Sequence, residues 1–220
     1  MKNNFKIIRK CPLFFQIEDD NLQRMLACLG ATVKKYEKNN TVFSEGTPAE
    51  YIGIVLSGSV QTVRLDYSGN RSILQNVEPT EVFGEAFACA ETKNTPVSVI
   101  ANEDCEVMLI DCRHILHTCE NHCSFHQQLI YNLMKDLATQ TVMFDQKLDI
   151  ASKRSTRDKL ISYLTYQARK NESNSFDIPF DRQELADYLE VDRSGLSSEI
   201  SKLRKEGFLA SNKNHFELFV

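Results

Sequence analysis

The hydrophobic positions of this chain change period along its length. In "DDNLQRMLACLGA", residues 19–31, Leu22, Met25, Leu26 and Leu29 recur on one helical face, and Gly30 stands where a helix C-cap belongs. Further on, "IGIVL", "SVQTVRL" and "RSILQNV" are short β-branched runs at spacings of about ten residues. Turn signals at Gly46, Gly53, Gly58, Ser68-Gly69-Asn70 and Gly84 punctuate them. With "TPVSVIA" and "CEVMLID" the series reaches about residue 111 and predicts an all-β sandwich or barrel.

After Asp111 the period becomes helical. Asp111 is the expected N-cap of a short helix over "CRHILHT", and Asn121 that of a long one running toward residue 151. Within the long helix Ile130, Leu133, Leu137 and Phe144 form a seam interrupted at Gln140. A helix of about thirty residues, ~45 Å long, cannot bury its seam against itself, so a second copy of the chain is its expected partner. "SKRSTRDKLISYL" then predicts a helix capped near Ser155, with Leu160, Ile161 and Leu164 apolar, followed by the polar loop "KNESNS". The expected division is therefore 1–120, 121–151 and 152–220, with the boundary before the last part at 151–156.

The closing segment, "DRQELADYLEVDRSGLSSEISKLRKEGFLASNKNHFELFV", carries the most specific pattern. Asp181 and Glu184 are spaced as a capping box, Leu185, Ala186 and Leu189 give an apolar stripe, and Asp192 is placed to cap a second helix. Leu196, Ile200 and Leu203 form that helix's core face, leaving Arg193, Ser194, Ser197, Ser198, Ser201 and Lys202 near or on the other side. Short hydroxyls permit close approach to a major groove, and Arg can pair bidentately with guanine. Two short strands about Ser211-Asn212-Lys213-Asn214 read as a wing.

Composition narrows the function classes. The 220 residues are 42% hydrophobic, enough for two cores. No window approaches eighteen apolar residues, and the N-terminus "MKNNFKIIRKCPLFF" is charged where a secretory signal would be apolar, so a cytoplasmic protein without membrane attachment is expected. Seven cysteines in such a chain are expected to be free thiols. The net charge of -4 does not announce a nucleic-acid binder, but it is uneven: residues 1–150 carry -5 and residues 151–220 carry +1, so a polyanion would meet the C-terminal part. The strands lack the His-x-His pair of a cupin-type metal enzyme, and no nucleophile elbow, phosphate-binding loop or kinase signature occurs. No enzymatic activity is expected.

The stretch "DCRHILHTCENHCSFHQ" gathers three of the seven cysteines and four of the five histidines. On one helix Cys119, His122, Cys123 and His126 would span about 10 Å of rise, too far for the ligands of one tetrahedral metal. No metal site is expected, and satisfied or solvent-facing histidines with buried thiols are the simplest outcome. The alternative is a redox switch at Cys123, with Cys119, because a thiol in a helix's first turn has its ionisation favoured.

The order of β-rich domain, long helix and winged helix-turn-helix, with "EG" at 45–46, "VLSGSV" at 55–60, "FGEAF" at 83–87 and the helix-turn-helix motif at 182–209, closely resembles the Crp/Fnr family of bacterial transcription regulators. The resemblance implies an α+β fold: an N-terminal β-roll or jelly-roll sensor, a dimerisation helix and a C-terminal winged helix-turn-helix. It also implies a homodimer on a two-fold double-stranded DNA operator, an unknown small-molecule effector, and contact with RNA polymerase if the protein activates. Arg193 matches the family's base-reading Arg, while Ser194 and Ser198 fall where cyclic-AMP receptors carry Glu and Arg. Arg182 and Gln183 match phosphate-backbone contacts, and Ser197 and Lys202 share the second helix's outer side with Arg193. In the effector pocket, Gly84 and Glu85 match the "GE" pair at the ribose, but Thr95-Pro96 replaces the phosphate-binding Arg-Ser, so cyclic AMP is not the expected effector. Thr141 keeps a ligand-contact hydroxyl and Val142 follows it. The remaining effectors are an uncharged or aromatic metabolite, a carboxylate met elsewhere, or none. Cys11 and Cys28 do not form the close N-terminal cluster of iron–sulfur members. Other readings are a ligand-binding regulatory module without DNA binding, and a thiol- or metal-sensing regulator of the same fold.

Overall fold

The computed structural model describes residues 2–116 and 124–219. The chain divides into two compact units, Met1–Leu65 with Leu74–Thr141, and Asp66–Ile73 with Val142–Val220. The expected cap at Asn121, and Cys119, His122 and Cys123, lie outside the described residues.

The first part of the chain runs through α1 (Lys2–Ile8), a 3-10 turn (Pro12–Phe14) and α2 (Asp19–Cys28), then β1 (Thr32–Tyr36), β2 (Thr41–Phe43), β3 (Tyr51–Ser57), β4 (Val60–Leu65), β5 (Arg71–Val77) and β6 (Val82–Phe83). It continues with α3 (Glu85–Cys89), β7 (Ser98–Ala101), β8 (Cys105–Asp111), α4 (Cys112–Leu116) and α5 (Ser124–Ala151). The strands make two four-stranded sheets, in the orders β1-β8-β3-β6 and β2-β7-β4-β5. These are the strands that the β-branched runs predicted, and with α5 and the C-terminal helices they make the α+β class.

Burial on both faces explains why "IGIVL" and "CEVMLID" do not alternate with polar residues. On β3, Ile52, Ile54 and Leu56 enter a core shared with the N-terminal helices, while Val55 enters a second core with Val60, Val77, Phe83 and Val99. On β8, Met108 and Ile110 join the first core, and Cys105, Val107 and Leu109 the second. Gly53 lies opposite Phe83 on β6, and the Phe83 ring occupies the space that a Cβ at Gly53 would need.

The start of α4 is capped as expected: the Asp111 carboxylate accepts from the Arg113 amide at 2.9 Å. The long helix differs from its expected packing. Leu129 and Leu133 are buried in the same core as Leu22, Met25 and Ile52, and Leu137 packs against it. Leu133 therefore faces its own chain and not a second copy, because the sheet's outer face needs a cover and α5 supplies it. The Asn132 amide reinforces the docking by donating to the carbonyls of Leu13 and Phe15, at 3.0 and 2.8 Å. The exposed apolar residues of α5 are Tyr131, Met134, Val142, Met143, Phe144 and Leu148.

The last part of the chain holds α6 (Thr156–Lys170), β9 (Ser175–Asp177), α7 (Arg182–Leu189), α8 (Arg193–Lys205), β10 (Leu209–Asn212) and β11 (His215–Leu218). Ser155 caps α6 by accepting from the Asp158 amide. The capping box on α7 is complete: Asp181 accepts from the amides of Gln183 and Glu184 at 2.7 and 2.8 Å, and Glu184 accepts from the Asp181 amide at 2.8 Å. Asp192 occupies the N-cap position of α8 without a side-chain hydrogen bond to it. The wing has three strands, in the order β10-β11-β9, where the sequence reading had two. Within the second unit, Arg71 pairs with Asp187 at 3.6 Å, and the Lys147 ammonium sits 4.0 Å over the Tyr188 ring and donates to the Ile73 carbonyl. Burial pushes that ammonium down to about 8.

Substituting Gly53→Ala forces the Phe83 ring off its seat, so the variant should lose about 1–3 kcal/mol of stability, read as a lower urea midpoint. An unchanged midpoint would contradict this packing.

Candidate effector cavity and nucleic-acid interface

A cavity of about 50 Å³ lies in the first unit beside the turn that leads from β6 into α3. Gly84 forms that turn with φ +79°, a left-handed conformation that a side chain would strain, and the Phe43 ring lies against it. Phe43, Ala49, Phe87, Val97 and Val99 supply apolar walls, Thr47, Thr62 and Thr95 hydroxyl-bearing ones and Glu50 a carboxyl, and among the described residues no Lys, Arg or His lines the cavity.

Of the six effector positions expected from the sequence, Gly84 and Thr95 line this cavity, and Glu85, Pro96, Thr141 and Val142 do not. The Thr95 hydroxyl donates toward the carbonyls of Ser44 and Thr47, at 3.0 and 3.1 Å, stitching the 44–47 loop over the cavity. Arg64 comes near the altered phosphate position from outside, its Nε donating to the Pro96 carbonyl at 3.4 Å. Thr141 and Val142 are exposed on α5, and the Thr141 hydroxyl donates to the Leu137 carbonyl.

Glu85 is buried with one carboxyl oxygen unpartnered, and so is one oxygen of Asp136 on α5. Burial pushes the Glu85 carboxyl up to about 7, and the Asp136 charge adds to the shift. Burial, helped by Glu81, likewise raises Asp136 to about 6. Burial thus favours the neutral acid in both groups more than in an exposed carboxyl.

In the second unit an open groove of about 580 Å³ runs between the N-terminus of α7, the N-terminus of α8 and the wing. Arg182, Gln183, Arg193 and Lys213 line it together with Asp181 and Glu184. Arg182 donates to the Lys213 carbonyl at 3.3 Å and lies 5.6 Å from the Phe216 ring centroid, which fixes it beside the wing. Its guanidinium is pulled below its usual range by burial and by the Arg193 charge. Two like charges held this close, on a partly desolvated surface, favour an anion between them.

The outer face of α8 presents Arg193, Ser194, Ser198, Ser201 and Lys202 to solvent, with Ser197 half-buried. Gln183 donates to Asp187 at 2.7 Å, Lys202 pairs with Glu199 at 2.5 Å, and Ser201 donates to the Ser197 carbonyl at 2.9 Å. Arg193, Ser194 and Ser198 are the exposed polar side chains left toward the helix start. Lys213, at the tip of the wing with φ +53°, is the basic residue the sequence reading left out of the site. The signal for it was the Asn-Lys-Asn turn between two strands.

In the cysteine- and histidine-rich stretch, His114 Nδ1 donates to the Leu29 carbonyl at 3.1 Å, and the buried His126 donates from Nε2 to the Ile115 carbonyl at 2.7 Å. Among the described residues no three His, Cys, Asp or Glu side chains gather as a metal would require. His215 bridges Ser175 and Asp177, at 3.2 and 3.0 Å. This reproduces the connectivity of a hydrolytic triad, but Asp177 is 71% exposed, so the pair lacks the buried, water-excluded setting that such chemistry uses.

Residues 33–122 match the cyclic nucleotide-binding domain family, and residues 158–218 match the Crp-like helix-turn-helix domain family. The chain belongs to the Crp/Fnr family. It is similar to the anaerobic regulatory protein of Bacillus subtilis (strain 168), with 22% identity over 216 residues, covering 96% of this chain and 88% of the relative. The transcriptional activator protein FnrL of Cereibacter sphaeroides is 23% identical over 83% of this chain and 74% of its own length. Among solved structures, the c-di-GMP responsive regulator CLP of Xanthomonas campestris superposes with a TM-score of 0.74 at 20% identity, covering 92% of this chain and all of that one. FixK2 of Bradyrhizobium japonicum gives 0.67 at 22% identity, over 86% and 93%. The chain thus carries the two domains of Crp/Fnr-type transcription regulators, and its curated relatives are regulators and not enzymes. Among the described residues no helix is long and apolar enough to cross a membrane.

The buried acid of this Crp/Fnr-family chain gives a signed pH effect. Glu85 keeps its proton to about pH 7 when folded and releases it near 4.5 when unfolded, so its contribution is full at low pH and is lost as pH rises past 7. Glu85→Gln should therefore melt above the native protein at pH 8, by on the order of 1–3 kcal/mol, with the gap closing toward pH 4 in a thermal-unfolding series. A gap independent of pH would contradict the raised carboxyl.

Proposed function

We propose that the protein is an effector-responsive, homodimeric, sequence-specific DNA-binding transcription regulator that works in the cytoplasm. The observation that carries this reading is the convergence of Arg182, Arg193 and Lys213 on one groove beside the hydroxyl-bearing start of α8. In it, Arg193 reads a guanine edge, Ser194 and Ser198 allow close approach, and Arg182, Gln183 and Lys213 hold phosphates on either side. Ser197 and Lys202 flank the contact. The partner is a two-fold operator, with RNA polymerase the further partner if the regulator activates.

Dimerisation is assigned to the exposed side of α5. Tyr131, Met134, Thr141 and Leu148 recur there at steps of three, seven and seven residues, and Met134 and Leu148 are 59% and 67% exposed. Covering that stripe with a second copy removes apolar surface that its own chain leaves in water.

The effector is not cyclic AMP in this reading. A cyclic phosphate needs a cation, and the cavity offers none, so its walls favour a small uncharged molecule. Such a ligand switches the protein only by binding the DNA-competent arrangement better than the other.

The test is an electrophoretic shift with the DNA upstream of the protein's own gene. Arg193→Ala should cost about 1–3 kcal/mol of affinity and relax the sequence preference, whereas Lys213→Ala should weaken all sequences alike and reduce the salt slope by about one. Absence of any shift at low salt would sink the reading and favour a regulatory module without DNA binding.

Light scattering supplies the second measurement. Met134→Asp with Leu148→Asp should turn a particle of two chains into one of a single chain without unfolding it, since both side chains are exposed. A native protein that already scatters as one chain would remove the dimer.

A further inference from the structure

The cysteines that the structure brings together are not those of the Cys/His-rich stretch as a whole. Cys89, the last residue of α3, and Cys112, the first of α4, are 23 positions apart, yet their sulfurs lie 3.7 Å from each other. Among the described residues this is the one thiol–thiol contact. Cys11 is buried, and burial pushes its thiol up to about 12, which makes it a poor nucleophile. Cys105 is buried and raised as well, and Cys28 is exposed without a neighbouring thiol.

We propose that Cys89 and Cys112 are a reversible redox pair, closed to a disulfide by a small hydroperoxide and reopened by a cellular thiol, that ties α3 to α4. The geometry supports closure. A disulfide needs sulfurs about 2.0 Å apart, so each need move by less than about 1 Å, a displacement within reach of a side-chain rotation at the end of a five-residue helix. Access runs through Cys89, which is half-buried, while Cys112 is buried at the wall of an open cleft of about 270 Å³ with Ala88, Lys93 and Arg113.

The two thiols are not equivalent. The contact between the sulfurs lowers the Cys89 thiol and raises that of Cys112, and Cys89 is half-buried where Cys112 is buried. Cys89 is therefore the attacking sulfur. Its thiolate takes the distal oxygen of the hydroperoxide, the O–O bond breaks, and the departing alkoxide or hydroxide picks up a proton. Cys112 then attacks the Cys89 sulfenic acid: the S–S bond forms, the S–O bond breaks, and hydroxide leaves as water with the Cys112 proton. The balance is two thiols and one hydroperoxide giving one disulfide, one alcohol or water, and one further water.

The position gives the pair something to act on. Helix α3 begins at Gly84, which lines the effector cavity, and Pro48, Ala49 and Glu50 line both that cavity and the cleft at Cys112. Closing the disulfide fixes the floor shared by the two. Here the redox reading goes beyond the proposed effector and does not depend on DNA binding.

The experiment treats the full-length native protein with a slight excess of hydrogen peroxide, blocks remaining thiols and maps disulfides by tandem mass spectrometry. The expected product is the Cys89 peptide joined to the Cys112 peptide, two hydrogens lighter, and lost on adding dithiothreitol. In Cys112→Ser a dione probe should trap a sulfenic acid at Cys89, while Cys89→Ser should leave Cys112 reduced. Amide exchange over 85–93 should slow at least tenfold in the oxidised native protein. Oxidation confined to other cysteines, or irreversible sulfinic acid at Cys89 without the link, would overturn the pair; a link with unchanged exchange would overturn the lock. The mapping and the exchange are both made on native protein, so they decide the matter even if a variant folds poorly.

Discussion

Everything in the first unit depends on one sheet being dry on both faces. With Ile52, Ile54 and Leu56 on one side of β3 and Val55 on the other, neither side can be left to water, so the N-terminal helices and the start of α5 must cover one face and the second sheet the other. That requirement places the β6–α3 turn, and with it Gly84 and the cavity. It also explains why the long helix cannot be purely a dimer element: Leu129 and Leu133 are committed to the sheet before any partner arrives.

Glu85 belongs to the same logic. A carboxyl at the head of α3 enters an interior where its charge has no partner, and the physical response is to stay neutral. A neutral acid can donate a hydrogen bond where a carboxylate can only accept.

Much of this was legible in the sequence, and the reasons for the rest are particular. The strands of the sensor were readable because β-branched runs between glycine turns leave few alternatives, and the capping box on α7 because Asp181 and Glu184 act through local spacing. Strand β9 escaped because only Phe176 of its three residues is buried, leaving no period to detect. Two members of the α5 seam, Leu133 and Leu137, pack on their own chain, whereas Phe144 stays exposed: periodicity tells which residues share a face but not what covers it, and Leu133 looks the same against a sheet as against a second helix. The apposition of Cys89 and Cys112 is a tertiary contact between two short helices, invisible to spacing, whereas the crowding of cysteines and histidines after Asp111 drew the eye elsewhere. Lys213 reaches the groove only because the hairpin folds it back beside Arg182.

The exposed side of α5 has a consequence for the life of the chain in the cell. Tyr131, Met134, Val142 and Leu148 remain in water after folding of each unit is complete. Exposed apolar side chains of this kind are what chaperones and proteases inspect, so a newly made copy stays vulnerable until something covers the stripe.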